Sequence, residues 1–517
     1  MPGWNFASLW DSIAQRVPER SALVSGGRRT SWGAFSERAA RLAWHLQTEL
    51  QLEPGDKVAI YLTNRPEYLE TFFAALKLGC VPVNVDFRYT TNEVHHVLDE
   101  SDAKVVVHGP GFTRVAKTAT KRIPKPWRPA LLEAGAPYER AVAGAPPPSE
   151  WVPRPPDGDD LVYLYTSGTR GATGMPEALV WRNDDLFAAL WASAHPRSPE
   201  APEPLAAVEA GMPPRTVLAA APLMHGTGLS EALTALGAGD TVVLVDRQGL
   251  DADAVWDAVE REKVEELAIV GDGFARPLLA ALEAAPGRWD LTGLDTIRSS
   301  VGSLSPETRR GLLEHLPEVT IAAGGATVPS ADLKVTKWLR VIDEDTGLDV
   351  EPGSDAVGLV ASGGHIPIGY YKDPVRTAAR FRTIGGIRYS ISGERATVDA
   401  DGTVQLRRHA SSPSDDPGAT RAATQAIEAE LRKHASVLDC VVVDVPDQEL
   451  GEKTVALVQV TDNHYLDEAE LVAWCRSHLT GYPAPQRFLF VDSLDRSASG
   501  TANHEALRQL AIDSLKE

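Results

Sequence analysis

Two apolar periods alternate along the first 110 residues. In "SLWDSIAQRV" Leu9, Ile13 and Val17 fall on one face of a helix. "KVAIYL" (57–62) is a short apolar run suited to a buried strand. "EYLETFFAALKLGC" predicts a helix ending at Gly79, which can take the left-handed backbone of a C-terminal cap. "VPVNVD" and "AKVVVH" predict two further strands. Strands that alternate with helices predict a mostly parallel sheet covered on both faces.

Residues 121–160 are rich in Pro, Ala and Gly and predict a surface excursion. The α/β pattern resumes from about 161 to 330, through "TVLAAAPLMHGTGLSEALTAL", "DTVVLV", "DADAVWDAVEREKV" and "ELAIVG". From about 331 to 400 it turns strand-rich with short turns. "RRHASSPSDDPGAT" (407–420) is polar, holds two prolines and has no apolar period, so it predicts a linker or hinge. Helix "ATQAIEAELRKH", strands "LDCVVVDV" and "TVALVQV", helix "DEAELVAWCRSHL" and strand "QRFLFVDSL" then make a small α+β unit. The predicted organisation is a large domain over 1–406, a hinge over 407–420 and a small domain over 421–517.

Composition narrows the function more than the fold. At 517 residues, 43% hydrophobic and 24% charged, the chain is ordinary for a globular protein of two or more domains. A formal charge of −20 argues against nucleic acid and anionic membranes as partners. Cys80, Cys440 and Cys475 are widely separated, with neither metal-ligand spacing nor a disulfide framework. The start lacks a basic segment followed by an apolar core, and no apolar run reaches membrane-spanning length. These features predict a cytoplasmic protein acting on a small molecule.

The candidate chemistry begins at "YTSGTRGATGMPEALVW" (165–181), where hydroxyls and glycines allow close approach of the backbone to a phosphate. Together with "LKLGCVPVNVDFRYTTNEVHHVLDESDAKVVV", "APLMHGTG", "GHIPIGYYKDPVRTAARFRTIGGIRYSISGERATVDADGTVQL" and "HLTGYPAPQRFLFVDSLDRSASGTAN", it resembles the acyl-CoA synthetase branch of the adenylate-forming (AMP-binding) superfamily. The resemblance covers nearly the whole chain. It implies an α/β fold, with a large N-terminal domain of several subdomains and a small α+β C-terminal lid. It implies that a carboxylate reacts with ATP, that pyrophosphate leaves, and that the acyl-AMP passes to coenzyme A.

The nucleotide motifs depart from that pattern. The loop matches through Thr166, Ser167, Gly168 and Thr169, then carries three extra residues beginning at Arg170. Glu177 stands where the family has lysine. In "AAGGATVPSAD" (322–332) Gly324 and Gly325 remain, but the metal-binding glutamate position falls near Val328. Glu394 replaces the ribose-binding aspartate, and Thr501 aligns with the catalytic lysine of the C-terminal domain. These departures predict a vestigial nucleotide site with no cofactor and no bound metal.

The substrate side keeps its motifs. His225 is the candidate catalytic group, followed by Gly226, Thr227 and Gly228. Gly271 and Gly273, then Ser299, Ser300 and Gly302, resemble pocket-lining segments whose small residues leave room for an acyl or aryl group, alongside Gly324 and Gly325. No Gly-x-Ser-x-Gly is present. The expectation is an acyl-CoA ligase homologue turned to ATP-independent cyclisation, hydrolysis or release of an acyl, aryl or polyketide-like thioester, free or carrier-bound. One alternative is a working ligase using ATP, Mg²⁺ and coenzyme A, with Arg170 and Glu394 as replacements. The other is a non-catalytic acyl-binding protein.

Overall fold

The computed structural model describes the chain apart from residues 1–3, 152–153, 167–174, 195–202, 300–303, 324–333, 345, 407–426, 448–450, 462–465, 479–484, 486, 497–501 and 516–517. It divides into two compact units, Met1–Pro329 with Ser362–Ser390, and Ser330–Ala361 with Ile391–Glu517. The second thus takes in stretches before residue 407 that the sequence pattern groups with the large domain.

Among the described residues, the first unit holds two sheets of seven strands. Across the first the order is Thr320–Ala323, Thr296–Ser299, Glu266–Ile269, Thr216–Ala219, Thr241–Leu244, Ser21–Ser25 and Arg28–Ser31. Its neighbours are parallel except for the last pair. Across the second the order is Gly369–Tyr370, Glu177–Arg182, Leu161–Thr166, Val81–Asn84, Lys57–Tyr61, Ala103–His108 and Ala130–Glu133. Here the first two pairs are antiparallel and the rest parallel. Parallel neighbours need crossover connections, and the helical periods in the sequence supply them.

Helix Pro66–Leu78 is buried at every residue from Glu67 to Leu78, and Gly79 ends it with φ of 66°. Trp10 of helix Phe6–Arg16 packs beside it, with ring centroids 5.1 Å from Phe73 and 5.7 Å from Phe35. The charges buried among these helices are paired, as burial demands. Lys77 reaches Asp11 at 2.5 Å, and Arg38 joins Glu70 at 2.7 Å to Glu139 at 2.8 Å.

Leu218, Val243, Leu267, Ile297 and Ile321 of the first sheet pack under Trp256, Phe274, Leu278 and Leu312. Those large side chains come from helices Ala252–Glu262, Gly271–Ala284 and Pro306–His315. Successive strand residues face opposite ways. Ala219, Ala268, Arg298 and Ala322, which are register partners across four strands, therefore share the other face.

The stretch 121–160 is more ordered than its composition predicts. It contributes the edge strand Ala130–Glu133 and helix Ala136–Gly144, whose Tyr138 and Val142 are buried.

In the second unit, Val437–Asp447 pairs antiparallel with Gly451–Val460, which pairs parallel with Arg487–Phe490. Cys440 and Val442 join one core with Leu471 and Cys475 of helix Glu468–His478. Val441, Val443 and Val445 join another with Leu507 and Ala511 of helix His504–Ser514. The sheet is thus covered on both faces, the second by a terminal helix that the periodicity did not single out. No described helix is long and apolar enough to cross a membrane.

Candidate functional site

In open α/β sheets the ligand crevice lies beyond the carboxyl ends of parallel strands. His225 lies there. It caps helix Gly226–Ala238, shortly after strand Thr216–Ala219. The turn is tight because Gly228 sits against the Ala221 and Pro222 backbone. A Cβ on Gly228 would lie 2.5 Å from the Ala221 carbonyl oxygen, so only glycine fits.

Two asparagines at strand ends of the second sheet hold this turn. Asn64 Nδ2 donates to the Ala221 carbonyl at 3.0 Å, and its Oδ1 accepts from Leu223 N–H at 2.8 Å. Asn84 Nδ2 donates to the Met224 carbonyl at 2.5 Å and to the Tyr165 carbonyl at 3.1 Å. Its Oδ1 accepts from Tyr165 N–H at 2.6 Å. One side chain therefore fixes both the His225 turn and the strand that leads into the glycine-rich loop. Asn64 and Asn84 are buried, as is Asp86. Sequence reasoning passed over all three, although each is a polar residue at or near the end of a buried apolar run.

Asp86 and Arg88 set the state of His225. Arg88 pairs with Asp86 at 2.7 Å and places Nη2 2.9 Å from His225 Nε2. A guanidinium only donates, so Nε2 accepts and the ring proton lies on Nδ1. Burial, opposed by the Asp86 carboxylate and reinforced by the Arg88 guanidinium, lowers the imidazole from 6.5 to about 4. His225 is thus neutral near pH 7 and offers a donor at Nδ1 rather than a basic lone pair at Nε2. In Arg88→Met the cation is gone and Asp86 remains, so the His225 midpoint should rise from about 4 toward 6.5. Imidazole NMR titration checks this, and an unchanged midpoint would remove Arg88 from the account.

Among the other pocket residues, Gly271 N–H donates to Ser299 Oγ at 3.0 Å, joining two of the predicted segments. Gly271 and Gly273 open helix Gly271–Ala284. Ser300, Gly302, Gly324 and Gly325 lie outside the described residues.

Of the nucleotide-loop residues, Thr166 ends strand Leu161–Thr166 and pairs in register with Glu177, so the ladder clamps the two ends of the loop. Ser167, Gly168, Thr169 and Arg170 lie outside the described residues, as does Thr501. Glu177 is ion-paired with Arg376 of helix Pro374–Arg380, whose guanidinium also lies 4.4 Å from the Tyr370 ring centroid. The Glu177 carboxylate is therefore matched by a cation that sequence reasoning did not single out. Glu394 is exposed on strand Ile387–Val398, and its neighbour Arg395 pairs with Glu344 at 2.9 Å. Among the described residues, no group of three or more His, Cys, Asp or Glu is arranged to hold a metal ion.

Two mostly parallel sheets, with the His225 turn and strand Leu161–Thr166 joined through Asn84 at their carboxyl ends, make this an α/β protein. Comparison gives the family. Residues 10–364 match the AMP-binding enzyme family, and residues 426–501 match the AMP-binding enzyme C-terminal domain. The chain belongs to the AMP-binding, adenylate-forming enzymes. It is 33% identical to a 3-oxocholest-4-en-26-oate–CoA ligase of Rhodococcus rhodochrous, over 97% of this chain and 94% of that one. It is also 33% identical to a medium/long-chain-fatty-acid–CoA/3-oxocholest-4-en-26-oate–CoA ligase of Mycolicibacterium smegmatis, over 97% and 95% of the two chains. The fold matches ATP-bound MatB from Rhodopseudomonas palustris with a TM-score of 0.76 at 21% identity, covering 99% of this chain and 100% of that one.

Proposed function

We propose that this chain is an ATP-dependent ligase that joins a large, mainly apolar carboxylic acid to coenzyme A, with adenylate formation as its slow half-reaction. Kinship carries the reading: the relatives that align over 97% of this chain are named as CoA ligases. Nothing in those relatives favours the ATP-independent, cofactor-free chemistry expected from the motif departures. ATP and coenzyme A are therefore proposed as substrates.

In the first half-reaction a carboxylate oxygen attacks the α-phosphorus of ATP and pyrophosphate leaves. Negative charge grows on the phosphate, and cations aimed at it accelerate the step. Glu177 and Thr501 supply none, which makes the step slow; Arg170, the cation in the loop's sequence, is the candidate replacement, since Arg376 is paired with Glu177. In the second half-reaction the thiol sulfur attacks the acyl carbon and AMP leaves. The His225 turn faces this chemistry with an Nδ1–H donor for an acyl oxygen.

The test is release of AMP and acyl-CoA from ATP, MgCl₂, coenzyme A and a panel of fatty, sterol side-chain and aromatic acids. AMP formation that depends on the acid supports the proposal. No AMP with any acid, together with turnover of an acyl thioester in the absence of ATP, overturns it in favour of repurposed chemistry. One observation favours that second reading: the carboxylate at the lysine position is ion-paired with Arg376, so that cation is already neutralised.

A further inference from the structure

The net charge of −20 conceals a local reversal. From Ala103 to Leu132 the chain carries seven Lys or Arg and no Asp or Glu. Six of them lie on the crossover from strand Ala103–His108 to the edge strand Ala130–Glu133, all of which is described. In helix Thr113–Lys121, spacings of three and four put Arg114, Lys117 and Lys121 on one face. All three are exposed, while Ala116, Ala119 and Thr120 are buried. Neither these three nor Lys125 in the following turn is ion-paired among the described residues.

That turn adds an aromatic side chain. Trp127 is 73% exposed, whereas Trp10, Trp32 and Trp256 are fully buried. The base of the turn is fixed. Ile123 is buried, and Trp127 N–H donates to the Pro124 carbonyl at 2.9 Å. Arg128 donates from Nε to the Ile123 carbonyl at 3.2 Å and from Nη2 to the Lys121 carbonyl at 2.9 Å. The backbone is therefore held while the indole stays in water. One exposed apolar side chain needs no explanation when isolated. An indole flanked by exposed cations has the chemistry of a bilayer interface, where the ring lies at headgroup level and Lys and Arg meet lipid phosphates.

We infer that helix Thr113–Lys121 and the Trp127 turn form a docking surface for an anionic lipid bilayer. Clustered Lys and Arg on a helix are drawn to anionic leaflets. The helix itself stays outside the bilayer, because its small apolar residues are already buried in the protein. Lipid is favoured over an acidic protein because lysine is depleted at protein–protein interfaces, and three of the six cations from Arg114 to Arg128 are lysines. The acidic body does not prevent docking. Charges more than about 8 Å from the lipid plane are screened at physiological salt, so the cations nearest the plane decide. The expectation drawn from net charge, that anionic membranes are disfavoured, does not extend to this face. Under the ligase reading the surface holds the chain where apolar acids dissolve, but docking itself does not require that reading.

The test is flotation of the full chain with vesicles, without ATP, acid or coenzyme A. The wild type should bind equimolar phosphatidylglycerol and phosphatidylcholine in about 0.1 M NaCl and be released in about 1 M NaCl. It should not bind pure phosphatidylcholine. Each lysine near an anionic surface is worth about fivefold in partitioning, so Lys117→Gln, Lys121→Gln and Lys125→Gln together should weaken binding about 10²-fold. Trp127→Ser should weaken it about tenfold through lost apolar burial. These side chains are exposed, so both variants should melt with the wild type. Failure of the wild type to float with anionic vesicles overturns the inference, as does equal binding to neutral ones or full binding by the folded triple variant. Binding to poly-L-glutamate without binding to vesicles overturns it in favour of an acidic protein partner. A chain that floats but forms no AMP loses the ligase reading and keeps this surface. A working ligase that does not float loses this surface alone.

Discussion

Thr501→Lys is expected to speed acyl-adenylate formation by about 10²–10³-fold, the usual worth of one preorganised donor aimed at developing charge. Pyrophosphate release at saturating acid and ATP measures it. The resemblance places a lysine at Thr501, and a hydroxyl cannot supply its charge. An interaction made mainly in the transition state changes kcat more than KM, so the KM for ATP should move little. Thioester formation from supplied acyl-AMP should not change, because the added cation serves phosphate chemistry. If adenylation stays at its wild-type rate in a folded Thr501→Lys chain, the limitation lies elsewhere, with the missing carboxylate near Val328 the next candidate.

Glu177→Lys should behave differently, and the difference follows from Arg376. Glu177 is ion-paired with Arg376 in the wild type, so a lysine there replaces an attraction with a like-charge contact. Both side chains are partly exposed, which limits the cost to about 1 kcal/mol. The ligand-free variant should melt below the wild type, and ATP should restore more stability to it than to the wild type, because two cations then share a triphosphate. Adenylation should rise less than in Thr501→Lys. A variant whose melting does not respond to ATP would show that this loop no longer meets the nucleotide.

The sequence made the scaffold readable because burial imposes periodicity. "KVAIYL", "VPVNVD" and "AKVVVH" became adjacent parallel strands, and Gly79 ended its helix as a left-handed cap. The stretch 121–160 was misread because Pro, Ala and Gly mask a short edge strand and helix held by Tyr138 and Val142. The His225 turn could be found from its motif, but its surroundings could not. Asn84 meets Tyr165 across 81 positions and Met224 across 140, and such contacts leave no period in the chain. The same holds for Arg376 and Glu177, which lie far apart in sequence. Nor could it be read that burial and Arg88 fix His225 as a neutral donor, since that state comes from two strand ends of different sheets meeting.

Asn84 is accordingly where a small change should do the most damage. Asn84→Ala removes three hydrogen bonds at once and leaves the Tyr165 N–H and the Met224 carbonyl buried without this partner. Each buried group left unsatisfied costs about 1–3 kcal/mol, so the loss should be about 3 kcal/mol in denaturant unfolding of the first unit. Activity should fall further than stability explains, because the variant releases the His225 turn and the loop-leading strand from one another. Asn84→Asp separates the two effects. Its carboxylate still accepts from Tyr165 N–H but faces the Tyr165 and Met224 carbonyls with no proton to donate. Its folded pKa should therefore rise above the unfolded value, and its stability should be greatest at low pH and decline as pH rises through the folded value. An Asn84→Asp chain as stable at pH 8 as at pH 5, or an Asn84→Ala chain within about 0.5 kcal/mol of wild type, would show that the two strand ends are registered by something other than this side chain.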